Sequence, residues 1–256
     1  MIHPTAIIAD SAKLDKDVQV GPYSIIGENV AISSGTVVGP HVVINGHTTI
    51  GRNNRFYQFS SIGEENQDKK YQGEPTQTII GNNNVFRECC TVHRGTIQDK
   101  GITRIGNDNL MMCYTHIAHD CQIGNQVILA NNSTLAGHVH IGDWAILGGF
   151  SMVHQFVHIG MHAFSAINGI VLKDIPPYVM AEGRPTIPRS INSEGLKRRG
   201  FTLESITAIR RSYKLLYRKK LSLDDAKSAI TEMSVEFPEL ACFIHFIDAS
   251  KRGIIR

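Results

Sequence analysis

An aliphatic residue falls at every sixth position through the first two-thirds of the chain. The series runs Ile2, Ile8, Leu14, Val20, Ile26, Ile32, Val38, Ile44, Ile50, Phe56 and Ile62, then resumes in phase at Ile80, Phe86 and Val92. It restarts one residue out of phase at Ile105, continues through Met111, Ile117, Ile123, Leu129, Leu135, Ile141, Leu147, Val153 and Ile159, and fades at Ser165 and Val171. Two further columns keep the same period. The next position is often Gly, as at Gly21, Gly39, Gly81, Gly106, Gly124 and Gly142, and the position four after is small or β-branched, as at Val18, Ser24, Thr36, Val42 and Ser133. A helical stripe recurs at about 3.6 residues and a half-buried strand at 2, so a period of six is neither. It predicts two-residue strands joined by tight turns and wound into a solenoid, three hexads to a coil and roughly nine coils in all. Glycine is expected to supply the turn conformations that other residues avoid.

Two segments interrupt the period, residues 63–79 and 93–104, and are expected to protrude as loops, where function tends to sit on a rigid scaffold. The repeat domain is assigned to 1–172. From 173 to 256 the pattern changes to a Pro-rich connector and then to helices. A short helix is expected near 193–200. A second, over 203–219, is capped by Thr202 and carries Leu203, Ile206, Ile209, Tyr213, Leu216 and Tyr217 on one face. A third, near 223–235, is capped by Ser222, and a fourth is opened by Pro238 and carries Leu240, Phe243, Ile244 and Ile247. The fold class is therefore an all-β parallel β-helix of hexapeptide repeats followed by an α-helical domain. The spacing leaves the handedness open.

Charge sharpens this division. Residues 1–172 hold ten Lys and Arg against thirteen Asp and Glu, while residues 173–256 hold sixteen against ten. A basic C-terminal part attracts nucleic acid, an anionic membrane or an acidic protein. No apolar run approaches the length of a spanning helix, and the N-terminus has neither the basic nor the apolar region of a secretory signal. Five cysteines, an odd number without CxxC spacing, read as reduced thiols of a cytoplasmic protein.

The chain has no GxxxxGKS/T loop, no GxGxxG after a strand and no serine nucleophile elbow. Eleven of its twelve histidines lie in the repeat. His116-Ile117-Ala118-His119-Asp120 is the densest cluster, and Ile117 is an inward position, so His119 and Asp120 occupy the turn after it. His138 follows Asp120 by one coil of eighteen residues and is expected to stack above it; His154 and Gln155 fall close to one coil further. Such a column can be a set of solvated turn residues. It can be a metal site of the kind found in β-helix enzymes resembling γ-class carbonic anhydrase. It can also be a general base whose tautomer is set by the neighbouring carboxylate.

The motifs HVVINGHTTIG (41–51), SIGEENQDKKYQGEPT (61–76), HRGT (93–96), HIAHDCQIGN (116–125), LAGHV (135–139), VHQF (153–156), DIPPYV (174–179) and EGLKRRGF (194–201) favour the third reading. They resemble the UDP-N-acetylglucosamine O-acyltransferase family of lipid A biosynthesis over nearly the whole chain; other hexapeptide-repeat acyltransferases are the nearest alternative. The resemblance implies a left-handed β-helix and a homotrimer. It implies acyl carrier protein and UDP-N-acetylglucosamine as substrates, and no metal and no cofactor beyond the phosphopantetheine that delivers the acyl group. It makes His119 the catalytic base, Asp120 its orienting carboxylate and Gly137 N–H the oxyanion donor. Asp68 and Lys70 would hold the glucosamine, with His116, His138 and His154 lining the same cleft. Gln155, Asn192, Glu194, Arg198 and Arg199 would contact the nucleotide. Arg210, Arg211, Lys214, Arg218, Lys219 and Lys220 would then meet the acidic carrier protein rather than nucleic acid. Ile167 stands where long-chain members have Gly, which implies a shorter acyl chain.

Overall fold

The computed structural model describes residues 1–256. The hexads form three parallel sheets of nine, eight and eight strands around one axis. The first sheet runs from Ile7–Ile8 to Ile170–Val171, the second from Lys13–Leu14 to His158–Ile159. The third runs from Gln19–Val20 to Phe164–Ser165 and is extended by Val179–Glu182 and Ile187–Ile191. In coils without a loop each strand pairs with the one eighteen residues on, as in Ile7 with Ile25 and His116 with Thr134. The aliphatic and small columns both point inward, and Ile26, Ile44, Ile117, Leu135, Val127 and Val139 have no solvent exposure. Ser165 and Val171, where the pattern fades, are equally buried and stay in register with Leu147 and Val153.

The turns differ from the sequence expectation. The left-handed backbone conformation belongs to the third residue after the aliphatic one, and that residue is rarely Gly: Asn29, His41, Asn53, Asp120, His138 and Phe156 all have φ between 54° and 63°. Each such non-glycine residue costs roughly 1–2 kcal/mol. The N–H of His138 donates to the His119 carbonyl of the coil below (3.0 Å) and that of Phe156 to Gly137 (3.2 Å), which offsets the cost. The glycines one residue after the aliphatic position serve space instead. A Cβ on Gly106 would lie 2.5 Å from the carbonyl oxygen of Gly124, because successive coils touch there.

The small column also holds three asparagines that the sequence pattern passes over. Asn54, Asn84 and Asn109 are buried in consecutive coils of the prism and satisfy one another. The Asn84 and Asn109 backbone N–H groups donate to the side-chain oxygen below (2.9 and 3.0 Å), and each side-chain amide donates to a turn carbonyl above.

Both interruptions are shorter than expected, because strands Ser61–Glu64, Gln77–Ile80, Thr91–His93 and Ile102–Ile105 extend into them, leaving loops at 65–76 and 94–101. The connector contains an antiparallel hairpin, Val179–Glu182 with Ile187–Ile191, rather than irregular chain. Four helices follow: α1 Ser193–Arg198, α2 Leu203–Tyr217, α3 Leu223–Ser234 and α4 Ala241–Ala249. The Thr202 and Ser222 side chains cap α2 and α3. Pro238 opens a 3-10 turn ahead of α4. Leu203, expected on the apolar face of α2, is exposed; Ile206, Ile209, Tyr213 and Leu216 form that face. The helices dock on the prism through Tyr178, whose ring lies 5.4 Å from that of Phe243 and whose hydroxyl donates to the Glu239 carbonyl (3.0 Å).

Candidate active site

One corner of the prism, where both loops emerge, carries the histidine cluster. Asp120 sits in the left-handed turn position, buried, with its own N–H donating to Thr103 Oγ1 (2.8 Å). The second loop folds back so that Thr96 donates to the Asp120 carboxylate from both its backbone N–H (3.0 Å) and its hydroxyl (2.7 Å). Burial alone would raise the Asp120 carboxyl, but the hydrogen bonds from His119 and Thr96 outweigh it and hold it below the usual carboxylate range. An ionised carboxylate only accepts. His119 Nδ1 therefore carries the proton it shares with Asp120 Oδ2 (2.9 Å), which leaves Nε2 with a free lone pair.

The His119 ring is bounded on one face by Gly137, where a Cβ would stand 2.6 Å from Nε2. The Gly137 N–H has no acceptor within the protein. His138 stacks over Asp120 as the eighteen-residue spacing predicts. Its ring meets that of His119 edge-on at 5.0 Å, and its Nδ1 pairs with Asp99 of the second loop at 3.0 Å. The next ring in the column is Phe156, 4.4 Å from His138 and nearly parallel to it, rather than His154 or Gln155. His116 hydrogen-bonds Thr91 Oγ1 through Nδ1 (2.7 Å) and meets His93 edge-on at 5.0 Å. Burial pushes the His116 imidazole down to about 4, helped by the neighbouring His93 and His119, so His116 is neutral near pH 7.

Two cavities meet at His119. One, of about 590 Å³, opens on the side of the first sheet and is lined by Asp68, His93, His116, Gly137 and Gln155 among others. The second, of about 640 Å³, opens on the side of the second sheet and holds Asp68, Lys70, His138 and Gln155. Arg94 fastens the first loop over both, donating to the Tyr71 hydroxyl (2.9 Å) and to Glu65 (3.1 Å), so Asp68 and Lys70 come from a braced segment. The structure thus gathers Asp68, Lys70, His116, His119, Asp120, Gly137, His138 and Gln155.

The remaining candidates lie elsewhere in the chain. His154 is exposed and lines neither cavity, although Ala136, one coil below it in the same register, lines the first. Asn192 caps α1, accepting from Gly195 N–H and donating to the His162 carbonyl; Glu194 pairs with Lys197. Arg199 lies over the Trp144 ring at 4.9 Å and donates to His162 Nδ1 (3.3 Å), while Arg198 is exposed. Ile167 projects from a turn, 70% exposed, so it packs no core coil. His93, Thr96 and Thr103 were not singled out by sequence reasoning. Thr96 belongs to the HRGT motif, but only the folded loop brings it to Asp120.

His119, Asp120 and His138 hold potential ligand atoms within 4.8 Å of one another. Asp120 Oδ2 already accepts from His119 and Thr96, so a metal there would have to displace those bonds.

Residues 174–255 match the family model described as UDP N-acetylglucosamine O-acyltransferase, domain 2, and residues 102–137 match that of the bacterial transferase hexapeptide repeats. The chain is 52% identical over 255 residues to the acyl-[acyl-carrier-protein]–UDP-N-acetylglucosamine O-acyltransferase of Saccharophagus degradans, covering 100% of this chain and 99% of the relative. It is 56% identical over 260 residues to the protein of the same name from a Janthinobacterium species, with the same coverage. Among solved structures, the UDP-N-acetylglucosamine acyltransferase of Francisella novicida superposes with a TM-score of 0.98 at 46% identity, covering 100% of this chain and 94% of the other. The Acinetobacter baumannii enzyme superposes with a TM-score of 0.98 at 48% identity, covering 100% and 99%. The shared architecture is a left-handed parallel β-helix with a C-terminal helical part. With whole-chain identity at this level, the chain belongs to the acyl-[acyl-carrier-protein]–UDP-N-acetylglucosamine O-acyltransferase family.

Proposed function

We propose that the protein transfers a 3-hydroxyacyl chain from acyl carrier protein to the 3-hydroxyl of UDP-N-acetylglucosamine, the first step of lipid A biosynthesis. Whole-chain identity supports the reaction; the observation that carries the mechanism is the His119–Asp120 pair beside the unpartnered Gly137 N–H. His119 Nε2 takes the proton of the sugar hydroxyl as that oxygen attacks the thioester carbon. A positioned base contributes typically ~10²–10⁴-fold. The tetrahedral oxyanion faces Gly137 N–H, and one such donor is typically worth ~10²–10³-fold. As the intermediate collapses, the C–S bond breaks and the His119 imidazolium returns the proton to the pantetheine thiolate. Asp68 and Lys70 orient the glucosamine, and neutral His116 offers a hydrogen bond without adding charge. The scheme asks for no metal and no cofactor beyond the carrier's own arm.

The reading includes a homotrimer in the cytoplasm. Asn192, Glu194, Arg198 and Arg199 lie outside both cavities of their own chain, which supports a nucleotide site completed by a neighbouring copy. The corner between the third and first sheets displays Tyr23, Phe59, Tyr114 and Phe150, each more than half exposed. Closed cyclic symmetry is the common way to bury such a stripe. Sedimentation at micromolar concentration is expected to give three copies; a monomer refutes the assembly. No helix of the chain is long and apolar enough to cross a membrane. The basic face of α2, with Arg210, Arg211, Lys214 and Arg218, suits the acidic carrier.

Mass spectrometry of the product made from UDP-N-acetylglucosamine and a mixed acyl-carrier pool tests both the activity and the chain length. The exposed Ile167 side chain is free to end an acyl groove, and a chain near dodecanoyl length is expected. Each methylene kept in water costs about 0.8 kcal/mol, so two surplus carbons give about ten-fold discrimination. Ile167→Gly is expected to shift the product toward longer chains. An unchanged profile places the stop elsewhere.

A further inference from the structure

The larger cavity at His119 has a cationic lobe in which only Lys70 has a part in the transfer scheme above. Three lysines reach into it from three separate segments: Lys70 from the first loop, Lys100 from the second and Lys251 from the C-terminal tail. None of them forms a salt bridge. The two carboxylates of the lobe are engaged elsewhere. Asp99 pairs with His138, and Asp68 accepts from the backbone N–H of Lys70 (2.9 Å). One wall of the cavity is the stacked pair His140–His158, whose rings are 4.4 Å apart. Burial, the His158 neighbour and Lys100 hold His140 down to about 4, so His140 is uncharged near pH 7.

The placement of Lys251 is built into the fold. Asp174, buried, accepts from His158 N–H (2.8 Å) in the prism and from the Ser250 hydroxyl (2.6 Å) in the tail. Its backbone pairs with Gly253 and Ile255 (3.1 and 2.8 Å). One buried carboxylate therefore straps the tail to the coil that carries His158, and the strapped segment delivers Lys251 to the lobe. Gathering three unpaired ammonium groups costs Coulomb energy that an anionic ligand would recover.

The geometry points to a phosphate-ester subsite of the transfer reaction, with Lys100 and Lys251 as its ligands. This rests on the proposed activity, because both of its substrates carry such a group: the diphosphate of the nucleotide sugar and the phosphodiester of the pantetheine arm. Hydrogen bonds to charged groups contribute enough that loss of one lysine contact costs roughly ten-fold in affinity.

The test is the full-length Lys100→Gln/Lys251→Gln double variant. Both lysines are exposed outside the repeat, so the fold is retained. Calorimetric titration uses three probes: UDP-N-acetylglucosamine, 4′-phosphopantetheine and unphosphorylated pantetheine. Expected is a rise of Kd of at least about ten-fold for one phosphate probe, none for pantetheine, and recovery in the Lys100→Arg/Lys251→Arg variant. Weakening of 4′-phosphopantetheine assigns the lobe to the carrier arm; weakening of UDP-N-acetylglucosamine assigns it to the nucleotide. If both phosphate probes bind the Gln variant as they bind the wild type, the inference is overturned. Wild-type turnover, assayed separately, decides the proposed activity, so the two failures are distinguishable.

Discussion

His119→Ala lowers kcat by at least about a hundred-fold and leaves the coil folded. The factor is the lower end of what a positioned general base supplies. The residue lies in a turn, not in the inward column, and Asp120 keeps its two bonds from Thr96 after the imidazole is gone. Stability therefore changes little beyond the loss of one hydrogen bond, about 1–3 kcal/mol for a charged acceptor. Steady-state kinetics alongside thermal unfolding checks both halves. A variant retaining more than about a tenth of the wild-type rate removes His119 from the role of base.

Gly137→Ala is expected to be nearly as damaging, by a different physical route. Gly137 does not have the positive φ that would exclude a side chain, so its backbone tolerates alanine. The conflict is with His119, because the new Cβ would stand 2.6 Å from Nε2. Either the imidazole swings off its line to Asp120 or the turn shifts, and a displacement near 1 Å at a reacting group can cost about 10²-fold. The double variant separates the causes. If Gly137→Ala acts by misplacing the base, adding it to His119→Ala lowers the rate no further. A further drop in the His119→Ala background means that the alanine also impairs the Gly137 N–H as an independent donor.

These two residues illustrate what a linear pattern can and cannot carry. The six-residue period alone determined the coiled architecture, because each inward aliphatic side chain must meet its equivalent one coil away. Eighteen-residue arithmetic then stacked His138 over Asp120. The helices were legible from their caps and 3.6-residue stripes. The hairpin at 179–191 was hidden by its prolines, which occupy a turn and an outermost strand, where a missing N–H is tolerated. The turn conformation was assigned to the wrong column, because the crowding between coils that excludes a side chain at Gly106 and the left-handed φ at Asp120 both fall in the same turn.

Periodicity and motif sufficed for the fold class, the family and the residues to suspect. How those residues divide depends on contacts made only in the folded chain. Against its burial, Asp120 is held below the usual carboxylate range by His119 and by a threonine from an excursion 24 residues earlier. Gly137 is needed because a ring from the coil below occupies the space of its Cβ. Lys251 borders the same cavity as Lys100 because Asp174 straps the tail to the prism. His154 and the Asn192–Arg199 group stand apart from the cavities of their own chain. Each of these facts depends on distances between segments far apart along the chain, which local composition and spacing do not encode.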